Sequence, residues 1–183
     1  MVVLIVLVII IVVLAAVVIA MYNRLVKLRN RIEGAWAQID VQLKRRYDLI
    51  PNLVETVKGY AAHERDTLEA VIQARNVGIQ AEGPEQQAQA ENMISGALKN
   101  LFALSEAYPD LKANQNFLNL QEELTGTEGR IAYARQYYND AVLGYNTKIE
   151  TFPSSVLAGM FSFDEREYFQ ADDDSRGPVD VSF

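Results

Sequence analysis

The first 21 residues, MVVLIVLVIIIVVLAAVVIAM, contain no charged side chain. This run limits the possible folds of the chain more than any other feature. About 20 apolar residues in a helix span roughly the 30 Å hydrocarbon core of a bilayer. Lipid offers no partner to a backbone amide, so the run can cross a membrane only as a helix, despite its many Val and Ile residues. The sequence therefore predicts a transmembrane helix over residues 1–21.

Two other interpretations of this run are weaker. A cleaved signal peptide would use Val18-Ile19-Ala20 as its small-residue site, but the run lacks a charged n-region and exceeds the usual apolar length of about 7–15 residues. A buried core helix of this length would normally have a polar face. We expect a retained membrane anchor.

Basic residues follow the apolar run. Residues 22–46 contain seven basic and two acidic side chains, a net charge of about +5, whereas residues 164–183 contain seven acidic and two basic ones. The predicted membrane-interface residues are Tyr22, Arg24, Lys27, Arg29 and Arg31. The positive-inside rule then predicts a cytoplasmic body, with the lipid bilayer as a partner. Nucleic acid is not expected as a partner, because the overall charge is −7.

Residues 22–152 have the apolar spacing of amphipathic helices, with four stretches and no strand-like alternation. Gly83-Pro84 predicts the end of one helix and the start of the next. Pro51 and Pro109 each indicate either a turn or a kink, and the apolar stripe keeps its phase across Pro51. The fold class is therefore all-α, a transmembrane helix followed by an up-down four-helix bundle; a long kinked helical hairpin is the alternative.

The pattern changes after Pro153. Residues 153–170 are predicted to form either a short helix that caps the bundle or an interaction surface for a membrane or another subunit. The candidate surface residues are Met160, Phe161, Phe163, Tyr168 and Phe169. Residues 171–183 are expected to be a flexible acidic tail.

Residues that would indicate chemistry are scarce. The chain has no cysteine and a single histidine, His63, with Thr67 where a zinc-binding helix would need a second histidine. Adjacent Glu122 and Glu123 face different sides of a helix, and one histidine cannot supply the two ligand motifs of a di-iron bundle. The sequence predicts no catalytic, cofactor-binding or metal-binding residue, and no enzyme.

Charged residues also lie close to the apolar stripes. These residues are Arg45, Arg46, Glu64 and Glu128. Buried charges are costly unless they are paired. We expect Arg45 or Arg46 to pair with one of the two glutamates and fix the helix register; the alternative is that all of them reach solvent.

Long ordered strings of the sequence resemble the LemA family. They are residues 22–64 (YNRLVKLRNRIEGAWAQIDVQLKRRYDLIPNLVETVKGYAAHE), 106–124 (EAYPDLKANQNFLNLQEEL) and 126–153 (GTEGRIAYARQYYNDAVLGYNTKIETFP). The acidic tail lies outside the resemblance. The resemblance implies a single membrane helix followed by a helical bundle in bacteria. The family that the chain resembles has no established enzymatic activity. One relative is associated with the formation of magnetosome membranes, and other members often accompany membrane proteases.

These observations favour a non-enzymatic, membrane-anchored scaffold that forms a homo-oligomer and shapes or organises the membrane. The alternative is an adaptor for another membrane protein, such as a protease, that acts through residues 153–170.

Overall fold

The computed structural model describes residues 1–170, so the predicted tail at 171–183 lies outside the described residues. The helices are α1 (Val2–Lys58), α2 (Arg65–Gln80), α3 (Gly83–Leu104), α4 (Pro109–Lys112), α5 (Gln115–Glu150) and α6 (Ser154–Met160), with a 3₁₀ turn at Ser105–Ala107. Residues 1–170 contain no strand. The all-α prediction is confirmed.

Proline has different consequences at its two mid-body positions. α1 continues through Pro51 and ends at Lys58, immediately before Gly59. A proline inside a helix costs about 3 kcal/mol, whereas each buried Leu, Ile or Val contributes about 1.5–3 kcal/mol. Ile50, Leu53 and Val57 are all buried around the proline. Packing therefore favours one continuous helix.

Pro109 does interrupt the helical path. It is at the first turn of α4, after the 3₁₀ turn that follows α3. Pro84 occupies the first turn of α3, directly after the boundary at Ala81–Glu82. Both positions suit proline, since the first-turn amides of a helix have no partner within the helix.

The chain divides into two compact units. One contains residues 1–37 and 136–167; the other contains 38–135 and the segment from Tyr168 onward. The predicted boundary between residues 21 and 22 falls inside α1, so no break in the helix separates the apolar run from the residues that follow it.

The second unit is an up-down bundle of four helical segments. Arg75 of α2 donates from Nε to the Tyr47 carbonyl, and Gln87 of α3 donates to Tyr47 Oη. Asn114, just before α5, donates to Tyr60 Oη, and further along α5 Glu123 meets Arg45. The residue numbers therefore rise along α5 as they fall along α1, which makes these two segments antiparallel.

The first unit contains the start of α1, the end of α5 and α6. Its core includes Leu25, Ile32, Val142, Tyr145 and Leu157. Trp36 lies edge-on to Tyr138, with 5.4 Å between ring centroids. Ala158 of α6 and Phe163, just after α6, are also buried in this unit.

Candidate functional site

The apolar part of α1 is exposed along its length. None of its most hydrophobic 18-residue window is buried, and residues 2–14 are about half exposed or more. Exposed apolar side chains over that length would be unfavourable in water. The N-terminal helix thus suggests a single-pass membrane anchor.

The predicted interface residues begin where the apolar run ends. Tyr22, Arg24 and Lys27 are exposed. Arg29 lies over the Phe163 ring, with Cζ 5.6 Å from its centroid. Arg31 donates from Nε to Tyr137 Oη at 3.2 Å. Arg29 and Arg31 thus contact aromatic side chains of the protein, and a membrane-interface role for the five residues stays a prediction.

Two of the five predicted surface residues are buried. Phe163 is 8% exposed and packs edge-on against Tyr22, and Phe169 is 1% exposed beside Arg135. Met160, Phe161 and Tyr168 are exposed. Only three of the five candidate surface residues are therefore exposed, because two aromatic rings of the extended segment are buried.

Side chains of α5 hold this extended segment by its backbone. Asn146 donates from Nδ2 to the Arg166 carbonyl and accepts the Arg166 amide at Oδ1, each at 2.9 Å. Tyr145 and Tyr138 donate to the carbonyls of Asp164 and Glu167, also at 2.9 Å. Burial raises the pKa of both tyrosines. We call residues 163–169 the strap.

A buried ion pair lies in the second unit. Arg46 donates from Nη1 to Glu91 Oε2 at 2.8 Å, and both side chains are 2% exposed. Arg46 Nη2 donates to Ser95 Oγ at 3.0 Å and lies 3.6 Å from Glu128 Oε2. Ser95 in turn donates to Glu128. Polar partners on α3 and α5 thus offset the cost of burying the guanidinium.

Tyr47 completes this polar cluster. Its hydroxyl donates to Glu91 Oε1 at 2.7 Å and accepts from Gln87 Nε2 at 2.6 Å. Burial raises the pKa of Tyr47, and the Glu91 carboxylate raises it further. A Cβ at Gly78 would lie 2.8 Å from this hydroxyl, so the close approach of α2 requires a glycine.

The four residues predicted to form an ion pair are arranged differently from one another. Arg46 and Glu128 are close together, as described above. Arg45 pairs instead with Glu123 at 2.6 Å, on the surface. Glu64 accepts a hydrogen bond from Tyr108, and this bond raises the pKa of Tyr108.

Glu91, the principal partner of Arg46, was not predicted from the sequence. The available signal was its position three residues before Ile94 and seven before Leu98, which places all three on one helical face. Polar neighbours of Glu91 in the sequence (Gln87, Gln89, Asn92) obscured that stripe.

His63 is exposed in the loop between α1 and α2. Within residues 1–170, no three acidic or histidine side chains are grouped so that they could hold a metal ion. The absence of catalytic and cofactor-binding residues stays a prediction.

A family comparison identifies the chain. The model of the LemA family matches residues 35–183. Protein LemA of Metamycoplasma hominis is 30% identical to this chain, and the match covers 87% of this chain and 74% of that protein. The chain belongs to the LemA family. The LemA match reaches Phe183, so the expectation that the acidic tail lies outside the family's recognisable region was wrong.

Magnetosome proteins are also similar to this LemA chain. Magnetosome protein MamQ 2 of Paramagnetospirillum magneticum is 27% identical, and Magnetosome protein MamQ of Magnetospirillum gryphiswaldense is 25% identical. Each match covers 81% of this chain and 64% of the relative, so the chain spans just under two thirds of the MamQ proteins. None of these names denotes an enzyme.

Proposed function

We propose that this LemA chain is a non-enzymatic, membrane-anchored scaffold that self-associates and organises the membrane around it. The observation that carries the proposal is the continuity of α1, which runs from the exposed apolar segment into the folded body without a linker. A scaffold needs this kind of fixed connection between bilayer and body. The similarity to proteins named as magnetosome proteins supports the same role.

Exposed apolar side chains on the body support self-association. Val41, Ile79, Met93 and Tyr133 are each more than half exposed. Val- and Ile-rich anchors can also pack together in lipid. By the positive-inside rule, the body of the scaffold faces the cytoplasm.

The mass of the full-length protein in mild detergent tests self-association. We expect a protein mass at least twice that of one chain, 20.5 kDa, after correction for bound detergent. A Val41→Asp variant should shift the distribution towards smaller species if α1 contributes to the contact. Asn100→Asp, which adds the same charge at an exposed position of α3, is the matched control. A monomer at every concentration would refute self-association.

Membrane organisation needs a separate measurement. Reconstitution of the full-length protein into vesicles should change their shape in electron micrographs in proportion to the protein added. Unchanged vesicles would refute this part of the proposal.

The adaptor alternative would use the exposed part of residues 153–170. Crosslinking in cells, with and without the substitutions Val156→Asp and Met160→Asp, distinguishes the two functions. A specific membrane protein captured only by the unsubstituted chain would favour the adaptor; crosslinks between copies of this chain would favour the scaffold.

A further inference from the structure

The end of α6 lies beside the residue where α1 leaves its apolar segment. Tyr22 directly follows the uncharged run, which is where an aromatic residue meets the membrane–water interface. The Phe161 ring contacts Tyr22 edge-on, with 5.0 Å between the centroids. An anchor that places Tyr22 at the interface therefore places Phe161 there as well.

The side chains at this end are apolar and exposed. Met160 is 71% exposed, Val156 is 55% exposed and Phe161 is 49% exposed. Val156 and Met160 are four residues apart in α6, so they share one face of the helix. Leu157 and Ala158 are buried on its inner side. α6 thus has a buried face towards the protein and an apolar face that residues 1–170 leave exposed.

The charge distribution matches a bilayer. Residues 151–163 contain no charged side chain, although charged residues flank them at Glu150 and Asp164. A segment that enters the headgroup–acyl boundary must lack charges on its inserted face. Exposed Arg24 and Lys27 lie within two turns of Tyr22, where cations attract anionic headgroups.

We propose that Val156, Met160 and Phe161 form a second membrane contact, which inserts into the interfacial layer of the bilayer that holds the anchor. This inference rests on the anchor in the proposed function. Lipid is the favoured occupant because the anchor necessarily brings a bilayer to the level of Tyr22. A protein partner would need a separate reason to be there. The two contacts together would fix the rotation of α1 about its own axis as well as its depth.

Single-cysteine labelling tests the proposal in the full-length protein, since the natural sequence has no cysteine. The variants M160C and V156C carry a polarity-sensitive fluorophore, in vesicles of phosphatidylcholine and phosphatidylglycerol. Some lipids carry a spin label near the top of the acyl chain, which quenches nearby fluorophores. V18C, inside the apolar run, reports on the anchor. G34C is the matched control, because Gly34 is exposed on α1 about 18 Å beyond Tyr22 along the helix.

We expect M160C and V156C to show blue-shifted emission and severalfold stronger quenching than G34C, close to that of V18C. Quenched V18C with M160C and V156C no more quenched than G34C would overturn the second contact while the anchor stands. Blue-shifted but unquenched labels at 156 and 160 would mean that protein covers α6, and would overturn the lipid contact too. Unquenched V18C would remove the anchor itself, and the proposed function with it.

Discussion

Arg45 and Arg46 are neighbours in the sequence, yet their surroundings differ completely. The pair between Arg45 and Glu123 is 45% and 48% exposed, while the pair between Arg46 and Glu91 is 2% exposed on both sides. Solvent and salt screen the first pair, so it contributes little to stability. The second pair is desolvated, and loss of either partner leaves an uncompensated buried charge.

Arg46→Ala should therefore lower the free energy of unfolding by about 3–5 kcal/mol, and Arg45→Ala by less than about 1 kcal/mol. Chemical denaturation of the full-length protein in detergent, followed by circular dichroism, measures both. Equal effects of the two substitutions would contradict the assigned roles. Replacing both partners with apolar residues, Arg46→Met with Glu91→Leu, should recover only part of the loss, because the buried Tyr47 hydroxyl then loses its acceptor.

Two glycines in helices differ in the space around them. A Cβ at Gly78 would meet Tyr47 Oη at 2.8 Å and Ile94 Cδ1 at 3.1 Å, whereas a Cβ at Gly96 would meet no atom within 4 Å. Gly78→Ala should cost about 1–3 kcal/mol through overpacking. Gly96→Ala should stabilise the protein by about 0.5–1 kcal/mol, because alanine favours helix. The shift in denaturation midpoint shows whether each substitution stabilises or destabilises the protein. A stabilising Gly78→Ala would show that α2 does not approach Tyr47 this closely.

The raised pKa of Tyr47 predicts a loss of stability in alkali. The folded state keeps the phenolic proton above the ordinary pKa of 10.0, while the unfolded state releases it. The contribution is complete below about pH 10 and declines as the pH rises further. Tyr47→Phe should lower stability below pH 10 by about 1.5–3 kcal/mol, through loss of the bond to Glu91, and should reduce the alkaline decline. Denaturation at several pH values tests this prediction, with Tyr133→Phe as the control because Tyr133 is exposed. If stability declined equally steeply in alkali in both variants, the prediction would be contradicted.

The sequence predicted part of this residue-scale picture. The position of Arg46 near the apolar stripe indicated a buried charge, because periodicity locates a residue on a helix face. Periodicity does not determine which residue of another helix lies opposite. That depends on the register between helices, which packing across the whole bundle sets, and so Glu91 was missed.

At the scale of elements, α1 and the strap show where the local sequence pattern does not determine the structure. The unbroken phase across Pro51 was compatible with a continuous helix, but only the burial of its neighbours outweighs the cost of proline. The strap has no period to detect, since the hydrogen bonds from α5 side chains go to its backbone. Gly83-Pro84, by contrast, was predictable because its signal is entirely local.

Asn146→Ala should loosen the strap, because it removes both hydrogen bonds to the Arg166 backbone. Hydrogen exchange followed by mass spectrometry should show faster exchange in peptides that cover residues 163–169. Leu143→Ala, at an exposed position of the same helix, should leave that exchange unchanged. If the Asn146 variant exchanged at the original rate, the hydrogen bonds from Tyr138 and Tyr145 and the aromatic contacts of Phe163 and Phe169 would be enough to hold the strap.

At the scale of the whole molecule, charge is unevenly distributed: the residues directly after the apolar run are mostly basic, and those at the C-terminal end are mostly acidic. The basic residues at 22–46 and the acidic ones at 164–183 were visible in the sequence, and so was the anchor. Partners and oligomer size were not, because contacts between molecules leave no periodic signal of their own.

The uneven charge predicts the orientation in the membrane, with the body in the cytoplasm. A membrane-impermeant maleimide applied to intact bacteria should label Val2→Cys, and should label Gly34→Cys only after the cells are opened. The reverse pattern would place the body outside. Substituting glutamate at Arg24, Lys27, Arg29 and Arg31 should weaken the preference if, as the positive-inside rule predicts, these cations determine it.

The absence of a joint at Tyr22 has a mechanical consequence. When a hydrophobic helix is longer than the surrounding bilayer is thick, it tilts. The residues that follow Tyr22 belong to the same helix as the apolar run. A tilt of the apolar run in the bilayer would therefore tilt these residues through the same angle. A change in bilayer thickness would then rotate the part of α1 that lies outside the membrane. The protein would in this way respond to the lipid composition of the membrane that holds it.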